Sequence, residues 1–192
     1  MSQQPEIIPR DDPRYPARLR QRLGADAPPE LTALGKLDLL SGPITALFCS
    51  ARCPGSVILR AYDQAAQWRD AGRCVISGFH SPVEKECLRI LLRGEPPIII
   101  CPARGLPKRI PPDWKKPLAD GRLLILSIFP QNESRITADL AARRNELVAA
   151  LADEVFVAHA TPGGRLERSL RQKPLPLAAP WRSPRAHKPL RS

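Results

Sequence analysis

Residues 74–94, CVISGFHSPVEKECLRILLRG, constrain the fold more than any other stretch. The β-branched pair Val75-Ile76 stops at Ser77-Gly78, and helix start signals follow three residues later. Ser81 is placed as the N-cap, Pro82 at the first helical position and Glu84 to close a capping box. Val83, Cys87, Ile90 and Leu91 share one helical face. Arg89 and Arg93 suit the C-terminal dipole, and Gly94 is placed to end the helix. A strand, a tight polar turn and a helix bring backbone N–H groups to an anion at the carboxyl end of a parallel strand. Pro82 removes one of those donors and Glu84 adds negative charge. The positive role therefore shifts to neighbouring loops.

Four more apolar runs share the pattern: residues 44–49 (ITALFC), 97–101 (PIIIC), 123–127 (LLILS) and 154–158 (EVFVA). Between them, helices are expected over residues 56–71, 113–119 and 137–152, with a short one ending near residue 170. Short buried strands alternating with helices predict an α/β, Rossmann-like, doubly wound domain. Its sheet is mostly parallel, with about five or more strands and helices on both faces. The Pro- and charge-rich residues 1–43 are expected to form an extended arm packed on the domain, with a short helix near residues 14–23. Residues 44–170 form the domain itself. Residues 171–192 are a basic, Pro-rich tail with a disordered composition.

In such a sheet every parallel strand ends on one edge. The loops there carry Ser50, Arg52, Ser77, Gly78, His80, Arg104, Lys108, Arg109, Arg135, Gly163, Gly164 and Arg165, and most lack Asp or Glu. An anion is the guest that fits. The formal net charge of +11 agrees, since such an excess favours a polyanion. Part of it is in the tail: Arg171, Lys173, Arg182, Arg185, Lys188 and Arg191 leave a net +5 for residues 1–168. Five cysteines without a CxxC pair point to a reduced, cytoplasmic protein. No signal peptide is expected at the N-terminus and no apolar run suits a membrane span.

Several motifs in order resemble the DNA-processing protein A (DprA, or Smf) family. Tyr15-Pro16-x-x-Leu19 and Pro28-Pro29-x-Leu31-x-x-Leu34-Gly35 are similar to its lead-in segment. Ser50-Ala51-Arg52 resembles its Gly-Ser/Thr-Arg turn, and Ala71-Gly72-x-x-Val75-Ile76-Ser77-Gly78 its second strand. Gly105-Leu106 with Lys108 and Ile110-Pro111, residues 124–130, and Arg144-Asn145 with residues 147–151 match three later segments. The chain departs from the pattern at Pro82-Val83-Glu84, Cys87-Leu88, Glu146 and residues 162–166, and neither accessory domain of the family is evident. The resemblance implies single-stranded DNA binding in DNA uptake and recombination, a RecA-type recombinase as partner and a possible homodimer.

Each candidate contact has a physical reason. Arg52, beside Ser50, suits bidentate contact to phosphate. Arg104, Lys108 and Arg109 form a loop cluster that could release counterions from a strand. Phe79, next to His80, is either a base-stacking platform or an apolar anchor of the turn. Arg144 interrupts the apolar face of its helix, four residues after Leu140 and three before Leu147, so it must reach a pocket or a partner together with Asn145. Gly163-Gly164 incompletely resembles the Gly-rich motif of lysine-decarboxylase-like phosphoribohydrolases. Cys49, Cys53, His80, Cys101 and His159 could share the sheet edge, but Cys49-x-x-x-Cys53 is not a zinc-finger spacing. No catalytic residue, metal or cofactor is therefore expected. The leading reading is a non-enzymatic single-stranded DNA-binding protein. The alternatives are a small-nucleotide sensor or hydrolase using the same pocket, and an interaction protein with a vestigial pocket.

Overall fold

Period-two alternation sorts the strand residues onto two faces. Along the strand Ile44–Cys49, Ile44, Ala46 and Phe48 enter one core while Leu47 and Cys49 enter the other. In Leu123–Ser127 the pairs are Leu124 with Leu126, and Leu123 with Ile125. Both faces of these strands are thus apolar because both are covered, as parallel sheets require.

The computed structural model describes residues 4–172. Seven strands make one sheet: β1 (Glu6–Pro9), β2 (Glu30–Gly35), β3 (Ile44–Cys49), β4 (Cys74–Ser77), β5 (Ile98–Ile100), β6 (Leu123–Ser127) and β7 (Glu154–His159). Their order across the sheet is β1-β2-β6-β5-β4-β3-β7. The five from β6 to β7 are parallel, while β2 is antiparallel to both β6 and β1. Helices α2 (Gly55–Asp70), α3 (Pro82–Leu92) and α4 (Pro112–Ala119) cover one face. Helices α1 (Ala17–Leu23) and α5 (Ala138–Leu151) cover the other, and α6 (Arg165–Gln172) packs on α5. The doubly wound, mostly parallel architecture expected from the sequence is the one observed.

The N-terminal segment does more than pack on the domain, because it supplies β1 and β2 to the same sheet. β2 pairs with β6 through Thr32–Ser127 to Gly35–Leu124. Helix α1 begins at Ala17 rather than near Arg14 because Pro16 is its N-cap, and a residue before proline is pushed out of the helical region. Tyr15 is buried and its hydroxyl donates to the Pro28 carbonyl at 2.8 Å. Arg18 donates to the Leu151 carbonyl at 2.7 Å and pairs with Asp153 at 2.8 Å. Arg22 donates to the carbonyls of Ala150 and Ala152. One turn apart on α1, these two arginines satisfy the carbonyls at the end of α5 and complement its dipole. Residues 173–192, most of the expected basic tail, lie outside the described residues.

Candidate functional site

The carboxyl ends of β3, β4, β5, β6 and β7 share one edge. From β3 the chain steps sideways through β4, β5 and β6, then returns with β7 to the other flank of β3. The crevice between β3 and β7 is therefore the topological switch point, where such folds receive ligands. Ser50 ties its two sides together. Its N–H donates to the His159 carbonyl at 2.9 Å, and its hydroxyl oxygen accepts the Thr161 N–H at 3.0 Å. Arg52 stands exposed in the same loop.

After β4 the turn faces inward. Ser77 is fully buried, and its hydroxyl oxygen accepts the Phe79 N–H at 3.1 Å. Phe79 adopts φ +44°, a left-handed conformation that costs a non-glycine residue about 1 kcal/mol or more. Its ring is 5% exposed and belongs to the core under α2 and α3. The stacking platform entertained for Phe79 is thus corrected: the ring anchors the turn and offers no free face. The Ser77 hydroxyl is likewise buried beneath the turn it caps. The same Ser-x-Phe turn recurs after β6, where the Ser127 hydroxyl oxygen accepts the Phe129 N–H at 3.1 Å and its proton goes to the Arg104 carbonyl at 2.7 Å. His80 remains exposed beside the first turn.

The anion seat beyond this turn is filled from within. Glu84 is 5% exposed, and its carboxylate accepts the N–H groups of Cys49 (2.9 Å), His80 (2.8 Å) and Ser81 (3.0 Å). The Ser81 hydroxyl oxygen accepts the Glu84 N–H in return, completing the expected capping box. Only the last two carboxylate partners are local. Cys49 lies 35 residues upstream, at the end of a neighbouring strand. Glu167 does the same for the last turn, accepting the Gly163 N–H at 2.6 Å, while Gly164 donates to the Thr161 carbonyl. Neither glycine of that turn offers its N–H freely.

Arg144 is 5% exposed, the buried cation that its place on α5 required. One terminal nitrogen donates to the Cys101 carbonyl at 3.0 Å, and Nε donates to Asn145 Oδ1 at 2.8 Å. Burial holds its pKa below the usual arginine value, and the Glu84 charge opposes that shift. The guanidinium lies against Gly78, where an added Cβ would fall 1.1 Å from Nη1. Gly78, Cys101, Arg144 and Asn145 thus form one packed unit joining β4, β5 and α5.

Arg104, Lys108 and Arg109 are exposed on the loop after β5. That loop is fixed to the one after β6: Gly105 donates to the Glu133 carbonyl at 2.9 Å, and Gln131 donates to the Leu106 carbonyl at 3.1 Å. A Cβ on Gly105 would fall 2.6 Å from the Pro130 carbonyl oxygen, so the two loops touch through backbone there. Among the described residues no ion pair engages Arg52, Arg104, Lys108, Arg109 or Arg135. The opposite edge differs. There Arg18 pairs with Asp153, Arg73 with Glu154 and Arg122 with Glu95. Three arginines of the amino edge are thus paired with carboxylates, although Lys36 and Arg93 there are exposed and without an ion pair among the described residues, while none of the five cations named at the carboxyl edge has one. A cavity of about 610 Å³ lined by Arg10, Asp11, Arg20, Ala25, Ala27 and Pro29 opens beside the N-terminal segment. Its Arg10 is already engaged with the carbonyls of Gly24, Ala25 and Ala27.

The five cysteines are free. Burial pushes the thiols of Cys74, Cys87 and Cys101 up to about 12 and that of Cys49 higher still. Among the described residues no three His, Cys, Asp or Glu side chains converge as metal ligands would. Alkylation of the native protein near pH 8 is expected to label the half-exposed Cys53 first, with the other four reacting only after denaturation. The thiolate fraction of a thiol with pKa near 12 is then only about one in ten thousand. Timed mass spectrometry reads the result, and rapid native labelling of more than one site would refute it.

No helix among the described residues is long and apolar enough to cross a membrane. A family model described as DNA recombination-mediator protein A matches residues 6–166. The structure aligns with DNA processing protein A (DprA) from Streptococcus pneumoniae at a TM-score of 0.68 and 23% identity, covering 89% of this chain and 61% of that one. It aligns with DNA processing protein A from Helicobacter pylori, solved for its unique single-stranded DNA binding mode, at a TM-score of 0.70 and 22% identity. That match covers 91% of this chain and 79% of the other. These likenesses carry the fold. The chain spans about three fifths of the length of the Streptococcus pneumoniae protein. No curated protein matches the sequence significantly.

Proposed function

The chain belongs to the DNA recombination-mediator protein A family, and from that premise we propose that it binds single-stranded DNA along the carboxyl edge of its sheet. The observation that carries the reading is the set of exposed cations gathered on the loops of the carboxyl edge. Arg52, Arg104, Lys108, Arg109 and Arg135 there are exposed and without ion pairs among the described residues, whereas Arg18, Arg73 and Arg122 at the amino edge are paired with carboxylates. Unpaired cations spread over several loops suit a ligand carrying many phosphates, each contact releasing counterions. Ser50, Gly78, His80, Arg144, Asn145, Gly163 and Gly164 would shape the floor and walls of that edge rather than supply most of its charge.

The protein would act without catalysis, in DNA uptake and recombination, in the cytoplasm where its free cysteines stay reduced. A RecA-type recombinase and a second copy of the chain are the partners this reading implies. A small-nucleotide pocket finds less support, because the N–H groups that would hold a lone phosphate already serve Glu84 and Glu167.

The test is titration of labelled single-stranded and duplex oligonucleotides over a range of salt concentrations. Single strands are expected to bind more tightly, with affinity falling steeply as salt rises, by about 0.7 in log–log slope per phosphate contact. Absence of single-strand binding at low salt would sink the proposal.

A further inference from the structure

The turn after β4 is a complete anion site that holds an anion belonging to the protein. Three backbone N–H groups from two separate segments converge on the Glu84 carboxylate at 2.8–3.0 Å. The strained Phe79 backbone, the proline at the first position of α3 and the Ser81 cap fix those donors in place. Behind them lies the buried Arg144 guanidinium, close enough for its charge and that of Glu84 to act on each other. Convergent backbone donors beside a cation, at the carboxyl end of a parallel strand, make up a phosphate seat. Glu167 closes the neighbouring turn through Gly163 in the same manner.

We infer that Glu84 is a specificity-determining residue. Its carboxylate stands in for a phosphate in the turn after β4 and so denies that seat to the phosphate of a mononucleotide. This rests on the reading of the carboxyl edge as the DNA-binding face, and it says why that face selects a polymer. With the seat occupied, the cations that an incoming ligand meets at this edge among the described residues are exposed side chains on separate loops. Each such contact is weak alone, and only a strand that engages several together gains appreciable affinity.

The experiment compares wild type, Glu84→Ala and Glu84→Asp for binding of inorganic phosphate and of a deoxynucleoside monophosphate. Calorimetry and thermal shift provide the readouts, with chloride at matched ionic strength as reference. Glu84→Ala empties the seat and is expected to bind both anions saturably, at least about tenfold more tightly than wild type, as one or two regained charge-assisted hydrogen bonds require. Glu84→Asp keeps a tethered carboxylate and is expected to respond as wild type does. The general stabilising effect of phosphate as an excluded salt is read from wild type and subtracted. If Glu84→Ala does not fold in chloride, phosphate is expected to raise its refolding yield selectively. Equal responses of all three proteins, or an equal gain in Glu84→Asp, would overturn the inference. Oligonucleotide binding by wild type is measured separately, so its absence would defeat the functional reading without touching the result for the seat.

Discussion

Gly78→Ala is expected to destabilise the protein by about 2–4 kcal/mol, as overpacking combined with loss of a buried polar contact typically does. The added methyl would fall 1.1 Å from Arg144 Nη1 and 1.9 Å from Cζ, so the guanidinium must leave. Arginine is ordinarily flexible enough to yield, but this one is buried, and its position is fixed by the Cys101 carbonyl and Asn145. Displacing it strands that carbonyl and withdraws the positive charge facing Glu84. At this chain length the loss corresponds to a fall in Tm of roughly 5–15 °C. Thermal and urea unfolding of wild type, Gly78→Ala and Gly78→Ala/Arg144→Ala would check it. The double variant removes the clash, so its loss should fall clearly short of the sum of the two single losses. A Gly78→Ala protein as stable as wild type would show that Arg144 is not held where the structure places it.

Replacing Arg52, Lys108 and Arg109 together by alanine is expected to cost about 100-fold in affinity for a single-stranded oligonucleotide at low salt, at about 1 kcal/mol for each lost phosphate contact. The log–log salt slope should fall by about 2, since each contact to a single strand contributes about 0.7. Stability should change little. All three side chains are exposed and have no ion pair among the described residues, and such surface changes usually stay within about 0.5 kcal/mol apiece. Arg73→Ala at the amino edge serves as control, because its charge is paired with Glu154 at 3.1 Å and faces away from the proposed track. Fluorescence anisotropy at several salt concentrations measures both quantities. An unchanged slope in the triple variant would remove these residues from the interface.

The central sheet was legible in the sequence because β3, β4, β5, β6 and β7 are short apolar runs bounded by Gly, Pro and Ser, with helix signals between them. β1 and β2 were not. EIIP holds two apolar residues before a proline, and ELTALG follows Pro28-Pro29 and ends in a glycine. Both read locally as loop, and β2 becomes a strand by pairing with β1 on one side and, on the other, with β6 about 90 residues downstream. Within the site, the inward position of Arg144 could be read from the helical period alone. The capping role of Glu84 could be read too, but its hold on the Cys49 N–H could not, since that contact depends on how β3 lies beside β4. The burial of Phe79 was equally hidden, because it follows from a left-handed backbone that a phenylalanine rarely adopts.

The hydrogen bonds from Arg18 and Arg22 to the end of α5 also bear on how the molecule is made. They bridge 133 and 128 residues of sequence, and β2, besides its local partner β1, pairs with β6 about 90 residues downstream. On a ribosome adding about 5–20 residues per second, residues 17–35 precede β6 and the end of α5 by roughly 5–25 s, with only the local β1–β2 pairing open to them meanwhile. During that interval Tyr15, Leu19 and Leu31 lack the β6 and α5 residues of the core cluster they join. Residues 17–35 are therefore expected to reach their native contacts late, after β6 and α5 exist for them to join.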